Sequence, residues 1–134
     1  MQQLKKEYRQ HSPLELAAVC ARIALDTKAE ELAVLDVRGQ SSFADYFLIM
    51  SGRSTRHVQA LAEAIETELN SKRISSQHAE GLQEGLWVLL DFGDVVTHIF
   101  YRDQRKFYNL EGLWHDAPLL DLQRDLGLDE QEGA

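Results

Sequence analysis

Cysteine, proline and long apolar runs are scarce in this 134-residue sequence, which has one cysteine and two prolines. The single Cys20 excludes an internal disulfide framework and a zinc site built from several cysteines. A membrane-spanning helix needs about 20 consecutive apolar residues, and the sequence has no such run. The first residues also lack the apolar stretch of a signal peptide and the arginine-rich character of a transit peptide. We therefore expect a soluble protein of the reducing cytoplasm.

Basic residues are also few, because 14 Lys and Arg stand against 22 Asp and Glu, which gives a formal net charge of −8. Seven of the acids and one of the bases lie within residues 110–134, so the negative charge is concentrated at the carboxyl end. Binding to nucleic-acid phosphates needs a concentrated face of Lys and Arg, which the sequence does not provide. We therefore disfavour direct nucleic-acid binding as the main contact, whereas an acidic protein can dock on a basic protein.

The histidines do not have the spacing of a metal site. His11, His57, His78, His98 and His115 include no H-x₃-H pair and have no partner cysteines. No nucleophile is evident beside His98, the one histidine in the middle of an apolar strand. We therefore predict no metal, no cofactor and no catalytic residue.

Local patterns predict the order of the elements. Ser12 can cap a helix that starts at Pro13, and Glu15 completes a capping box. Further elements are expected as strands at 32–37 and 46–50, a helix capped by Ser54 and ending near 70–73, a weak extended segment at 74–80, a hairpin at 87–101 and a helix at 105–114. This order predicts a mixed β-sheet with flanking helices, in the α/β or α+β class. We expect one domain over residues 12–118, an N-terminal extension at 1–11 and a solvated acidic tail at 119–134.

Residues 87–92 and 95–101 are the clearest strands, and only two residues separate them. A two-residue turn fixes the register of a hairpin and places Leu89 opposite His98. One side is then a plain core face, formed by Val88, Leu90, Phe92, Val95, Thr97 and Ile99. The other side combines large apolar groups with a carboxylate and an imidazole, and its members are Trp87, Leu89, Asp91, Val96, His98 and Phe100. We expect this second side to be exposed, with His98 either a hydrogen-bonded, partly buried histidine or a contact residue.

A short turn before the second helix is a candidate anion site. Arg53, Ser54 and Arg56 lie between a strand and a helix N-terminus, where free amides favour an anion. The full phosphate-loop motif is missing, and an ordinary strand–helix turn is the commoner explanation of such a segment.

Two stretches of the sequence resemble the ribosomal silencing factor family, also called Iojap-like. The first comprises Ala44-Asp45-Tyr46-Phe47 followed by Ser51-Gly52-x-Ser54-x-Arg56-His57-Val58. The second comprises Glu80-Gly81, Trp87-Val88-Leu89-Leu90-Asp91-x-Gly93-Asp94-Val95-Val96-x-His98 and Arg105-x-Phe107-Tyr108-x-Leu110-Glu111-x-Leu113-Trp114. The resemblance covers roughly residues 28–117, and it departs from the family at Thr97, where an apolar residue is usual.

The resemblance implies a nucleotidyltransferase-like fold without catalytic activity. Active members of that fold hold metals with two carboxylates one residue apart, whereas Asp91 has no carboxylate at position 89 or 93. The family further implies binding to the large ribosomal subunit through ribosomal protein uL-fourteen. Occupying that protein blocks joining with the small subunit and lowers translation when nutrients are short. Relatives in organelles assist ribosome assembly instead.

On this basis we predict a docking face on the hairpin and the segment after it. Trp87 is expected to be the apolar anchor, while Asp91, Asp94 and Glu111 meet basic side chains of the ribosomal protein. The full set of predicted contact residues is Trp87, Asp91, Asp94, His98, Arg105, Tyr108, Glu111 and Trp114. The free protein can also pair as a homodimer through such a face. The alternatives are an assembly factor for the large subunit and, less favoured, a nucleotide-binding enzyme that uses the turn at 52–56.

Overall fold

The computed structural model describes residues 12–128, in which helices cover both faces of one β-sheet. The elements are α1 (Pro13–Asp26), β1 (Glu30–Asp36), β2 (Tyr46–Gly52), α2 (Thr55–Ser71), β3 (His78–Glu80), β4 (Trp87–Asp91), β5 (Val95–Tyr101), α3 (Arg102–Tyr108) and α4 (Leu110–Leu113). The strand order is β1-β2-β5-β4-β3, with β2 and β5 parallel and the other neighbours antiparallel. The predicted mixed sheet with flanking helices is thus confirmed, in the α+β class.

Both long helices begin where their capping residues predict. The Ser12 hydroxyl accepts from the Glu15 amide at 3.0 Å, and the Glu15 carboxylate accepts from the Ser12 amide at 2.9 Å. Ser54 caps α2 in a similar way, because its hydroxyl accepts from the His57 amide at 3.0 Å. Each cap satisfies amides that the first helical turn leaves without partners.

The hairpin has the predicted register, with Leu89 opposite His98. The Gly93 amide donates to the Asp91 carboxylate at 2.8 Å, and Gly93 has a φ of 93°, which glycine adopts without strain. The predicted core face of the hairpin is fully buried and packs with α1 and α2. Cys20 of α1 lies in the same core, where burial raises the pKa of its thiol to about 12.

The other side of the hairpin is more covered than expected. Residues after β5 fold back across it, so Phe100 is fully buried and packs with Phe47 and Ala117. Trp87 and Trp114 pack against this second cluster and are half-buried. The expectation of an exposed face is therefore wrong for its centre, because distant residues supply a second small core there.

The helix expected at 105–114 is two short helices, and the first starts three residues earlier, at Arg102. Asn109 separates them with a φ of 47°, the left-handed region that Asn tolerates better than most residues. Its amide still donates to the Arg105 carbonyl at 2.9 Å, which closes the last turn of α3.

The segment after Pro118 is packed rather than solvated. The Leu120 amide donates to the Val34 carbonyl and the Asp36 amide donates to the Pro118 carbonyl, both at 2.9 Å, along the outer edge of β1. Four leucines of this segment pack against the main core, namely Leu120, Leu122, Leu126 and Leu128. The solvated tail thus does not begin at 119, because the edge strand and the leucines hold the chain as far as 128. The extension at 1–11 and residues 129–134 lie outside the described residues.

Candidate protein-docking surface

Trp87 lies at the centre of a cluster of rings on the second face of the sheet. Its ring stacks on Phe100 with 4.9 Å between centroids and meets Tyr108 at 4.6 Å. Tyr108 in turn contacts Phe107 edge-on at 5.1 Å. Tyr108 is 46% exposed and Phe107 is 77% exposed, so the rings run from the second core out to solvent. We call Trp87, Phe107 and Tyr108 the Trp87 patch.

A hydrogen bond to the buried His98 holds the Trp87 indole in place. His98 is only 5% exposed, and its Nδ1 accepts a hydrogen bond from the Trp87 indole Nε1 at 3.1 Å. Burial lowers the pKa of His98 to about 4, so the imidazole is neutral and carries its proton on Nε2. Of the two sequence-based alternatives, the hydrogen-bonded histidine agrees with this geometry, whereas a direct contact through His98 does not.

Arg105 is also buried, at 7% exposure, and it joins three parts of the chain. Its Nη2 donates to the Glu111 carboxylate at 2.6 Å, and its Nη1 donates to the Glu31 carbonyl at 2.7 Å and to the Ser51 hydroxyl at 2.9 Å. The guanidinium of Arg105 is engaged inside the molecule, so this geometry favours a structural role, and the predicted contact of Arg105 with a partner stays a prediction. Glu111 remains partly exposed, but its charge is paired with Arg105.

Three other predicted contacts are Asp91 and Asp94 near the turn of the hairpin and Trp114 after α4. Asp91 is half-buried, with one carboxylate oxygen engaged by the turn. Asp94 is half-exposed, and its carbonyl accepts from the amides of Asp45 and Tyr46 at 2.7 and 3.1 Å, which ties the hairpin to β2. Trp114 packs edge-on against Phe47, with 5.1 Å between centroids.

The sequence pattern gives no signal for several further surface residues. Leu113 is 75% exposed in α4, although its neighbour Trp114 is half-buried. Glu80, Glu84 and Gln104 line a groove of about 420 Å³ beside Trp87. Only the position of α3 against the hairpin brings these residues together, so no local pattern in the sequence signals the groove.

The candidate anion site lies at the start of α2, where Thr55 packs against Gly85 of the loop that precedes β4. The Ser54 hydroxyl accepts from the His57 amide, and the Arg53 amide donates to His57 Nδ1 at 3.0 Å. The other His57 nitrogen bonds the Thr27 carbonyl at 2.9 Å, so the ring joins the two long helices. The side chains of Arg53 and Arg56 are exposed, and an anion there stays a prediction.

Within residues 12–128, no three His, Cys, Asp or Glu side chains come together in a way that could hold a metal ion. In the same range, no helix combines the length and the apolar character needed to cross a membrane.

Comparison with known proteins identifies the family. The model of the family described as "Ribosomal silencing factor during starvation" matches residues 10–134. The ribosomal silencing factor RsfS of Bacillus subtilis is 46% identical over 121 residues, covering 90% of this chain and 98% of that protein. The chloroplastic protein Iojap of Zea mays is 34% identical and is matched over 49% of its length and 84% of this chain.

Solved structures agree with the fold. A crystal structure of a Bacillus halodurans protein superposes with a TM-score of 0.72 at 38% identity, covering 80% of this chain and 97% of that one. A Chromobacterium violaceum protein gives a TM-score of 0.76 at 30% identity, covering 78% of this chain and 87% of that one. With the matched family model over nearly the whole length, these similarities show that the chain belongs to the ribosomal silencing factor family.

Proposed function

We propose that this protein binds the large ribosomal subunit through ribosomal protein uL-fourteen and sterically prevents joining with the small subunit. Translation then falls when nutrients are limited. The observation that carries the proposal is an exposed aromatic patch, anchored from inside, on a chain that is 46% identical to a ribosomal silencing factor. An activity on ribosomes is expected to take place in the cytoplasm.

The docking face centres on the Trp87 patch. Large aromatic side chains whose rings are held in place provide much of the binding energy at protein interfaces. Trp87 is held by His98 and by ring contacts, so little side-chain freedom is lost on binding. Asp91 and Asp94 at the end of the hairpin supply negative charge for a basic ribosomal protein.

The proposed mechanism needs no bond to be made or broken. On β4 the one acid is Asp91, and its carboxylate accepts from the Gly93 amide within the turn. A pair of carboxylates on one strand, which active nucleotidyltransferases use to hold metals, is not available at that position. We therefore favour a nucleotidyltransferase-like but inactive protein over a nucleotide-binding enzyme.

Exposed apolar side chains favour self-association of the free protein. Phe107 and Leu113 are each more than 70% exposed, and uncovered apolar side chains favour pairing with a second copy. A homodimer through this surface would compete with binding to the ribosome, so its population should fall when large subunits are added.

A subunit-joining assay tests the proposal. Purified large and small subunits are mixed at a magnesium concentration that favours coupling, and coupled particles are separated on sucrose gradients with and without the protein. We expect fewer coupled particles once large subunits are saturated. Undiminished coupling at concentrations where the protein co-sediments with large subunits would refute the proposal. Precursor particles in a deletion strain, with normal coupling in vitro, would favour the assembly role instead.

A further inference from the structure

A groove runs beside Trp87, between β4, α3 and the loop that precedes β4. Its volume is about 420 Å³, which is large enough for an amino-acid side chain. The side chains that matter are those of Glu80, Glu84, Leu86, Trp87, Gln104 and Tyr108. Trp87, Tyr108 and Leu86 supply the apolar wall, and each of them is partly exposed.

The wall that carries Glu84 is held rigidly. The Gln59 side-chain amide on α2 donates to the carbonyls of Leu82 and Gln83, both at 2.9 Å. Gly81 and Gly85 have φ values of 84° and 68°, and the Gly85 amide donates to the Gly81 carbonyl at 3.0 Å. The groove is therefore formed before anything binds.

The charged residues that line this groove are both acidic. Glu80 and Glu84 contribute two carboxylates, while none of the described residues that line the groove is Lys or Arg. Glu80 also contacts the exposed imidazole of His78, which orients its carboxylate. Carboxylates beside Trp and Tyr rings form a setting that attracts a cation both by charge and by the ring quadrupoles.

A guanidinium suits this setting better than an ammonium. It is planar and weakly hydrated, it stacks on aromatic faces, and its donors match the two oxygens of a carboxylate. The Gln104 side chain offers a further polar contact in the groove. The apolar stem of an arginine can lie along Leu86 while its head reaches the carboxylates.

We propose that the groove formed by Glu80, Glu84, Trp87 and Tyr108 receives an arginine side chain of the partner protein. This inference rests on the proposed function and specifies the partner's chemistry at the same docking face. The groove adds an ionic subsite next to the Trp87 patch. Glu80 and Glu84 then take part in selecting the partner.

A titration tests the groove without the ribosome. The chain contains two tryptophans, so the indole region of a nitrogen–proton NMR spectrum holds one signal each for Trp87 and Trp114. The probe is N-acetyl-arginine amide, with N-acetyl-lysine amide and the uncharged isostere N-acetyl-citrulline amide as comparisons. We expect the Trp87 signal to move with arginine, less with lysine and hardly with citrulline, while the Trp114 signal stays in place. Equal shifts with arginine and citrulline, or no shift at all, would overturn the proposal.

Matched variants test whether Glu80 and Glu84 provide the negative charge that binds arginine. The double change Glu80→Gln and Glu84→Gln should abolish the arginine-dependent shift and lower affinity for large subunits about tenfold. The control double change, Glu63→Gln and Glu68→Gln on α2, removes the same charge away from the groove and should leave both measurements unchanged. Equal losses in the two double variants would mean that only net charge matters, and the groove would lose its role.

These experiments distinguish a failure of the groove proposal from a failure of the proposed function. If arginine does not perturb Trp87 but the wild-type protein still binds large subunits and blocks joining, the groove proposal falls and the proposed function stands. If arginine binds in the groove but large subunits are not bound, the proposed function falls instead.

Discussion

The indole of Trp87 donates to Nδ1 of His98 at 3.1 Å, and the two residues are diagonal neighbours on one side of the hairpin, since Trp87 pairs with Phe100 and His98 pairs with Leu89. A half-exposed residue of the proposed docking face is thus held by a buried one. If Trp87 is the anchor of the proposed docking face, we expect His98 to affect binding through the position of Trp87 and not as a contact residue.

Replacing His98 tests that relationship. His98→Leu leaves the indole N–H without an acceptor and should cost about 1–3 kcal/mol in the free energy of unfolding. His98→Asn keeps an acceptor at the place of Nδ1, so it should preserve the Trp87 indole proton shift in NMR and retain more affinity for large subunits. The interpretation fails if the Asn and Leu variants lose the indole signature equally while both stay folded.

The buried imidazole also predicts a dependence on pH. Burial lowers the pKa of His98 from 6.5 to about 4, so the unfolded chain holds the proton more tightly than the folded one. The stabilising effect of the neutral ring is complete above pH 6.5 and is lost as pH falls toward 4. A shift of this size corresponds to about 3 kcal/mol. Urea unfolding of wild type and His98→Asn across this range should show a steeper acid loss in wild type; parallel curves would contradict it.

The ion pair of Arg105 and Glu111 should be asymmetric. Arg105→Met removes the donor to Glu31, Ser51 and Glu111 at once, and we expect a loss of about 2–3 kcal/mol in the free energy of unfolding. Glu111→Gln should cost less, about 1–2 kcal/mol, because the glutamine oxygen still accepts from Arg105 and the site is partly solvated, although the buried guanidinium loses its counter-charge. Chemical denaturation compares the two, and an equal cost would argue against Arg105 as the buried member that joins α3 to β1 and β2.

Truncation of Trp87 tests the docking face. Trp87→Ala should weaken binding to large subunits by about 30- to 1,000-fold, as expected for a central aromatic anchor. Leu14→Ala is the matched control, because Leu14 is a partly exposed apolar residue on α1, at the other face of the sheet. Co-sedimentation gives the two affinities, and similar values for both variants would remove Trp87 from the interface.

Shortening the carboxyl end tests the packed segment. Removal of residues 119–134 exposes the edge of β1, deletes four leucines and uncovers the core surface that they pack against, so we expect a loss of about 3–5 kcal/mol in the free energy of unfolding and a tendency to self-associate. Removal of 129–134 alone is the control. Thermal unfolding and light scattering measure both effects, and an unchanged midpoint for the longer deletion would show that the segment does not stabilise the fold.

The sequence was sufficient where a short stretch decides the structure. Ser12 and Ser54 cap helices through residues three positions ahead, and a two-residue turn fixes the register that puts Leu89 opposite His98. These features follow from hydrogen bonds and side-chain alternation within a few residues, so they can be read locally. The aromatic and acidic character of the candidate surface was likewise visible in the hairpin and the segment after it.

Tertiary structure decided which of these residues meet solvent. Arg105 is buried because its acceptors lie on Glu31 and Ser51, 74 and 54 positions away in the chain. His98 and Phe100 are buried because residues 102–118 return across the hairpin, and Glu80 and Glu84 share a groove with Tyr108 because α3 lies beside β4. Composition and periodicity do not indicate such long-range contacts. The burial of a side chain depends on the residues that pack against it and not on its neighbours in sequence.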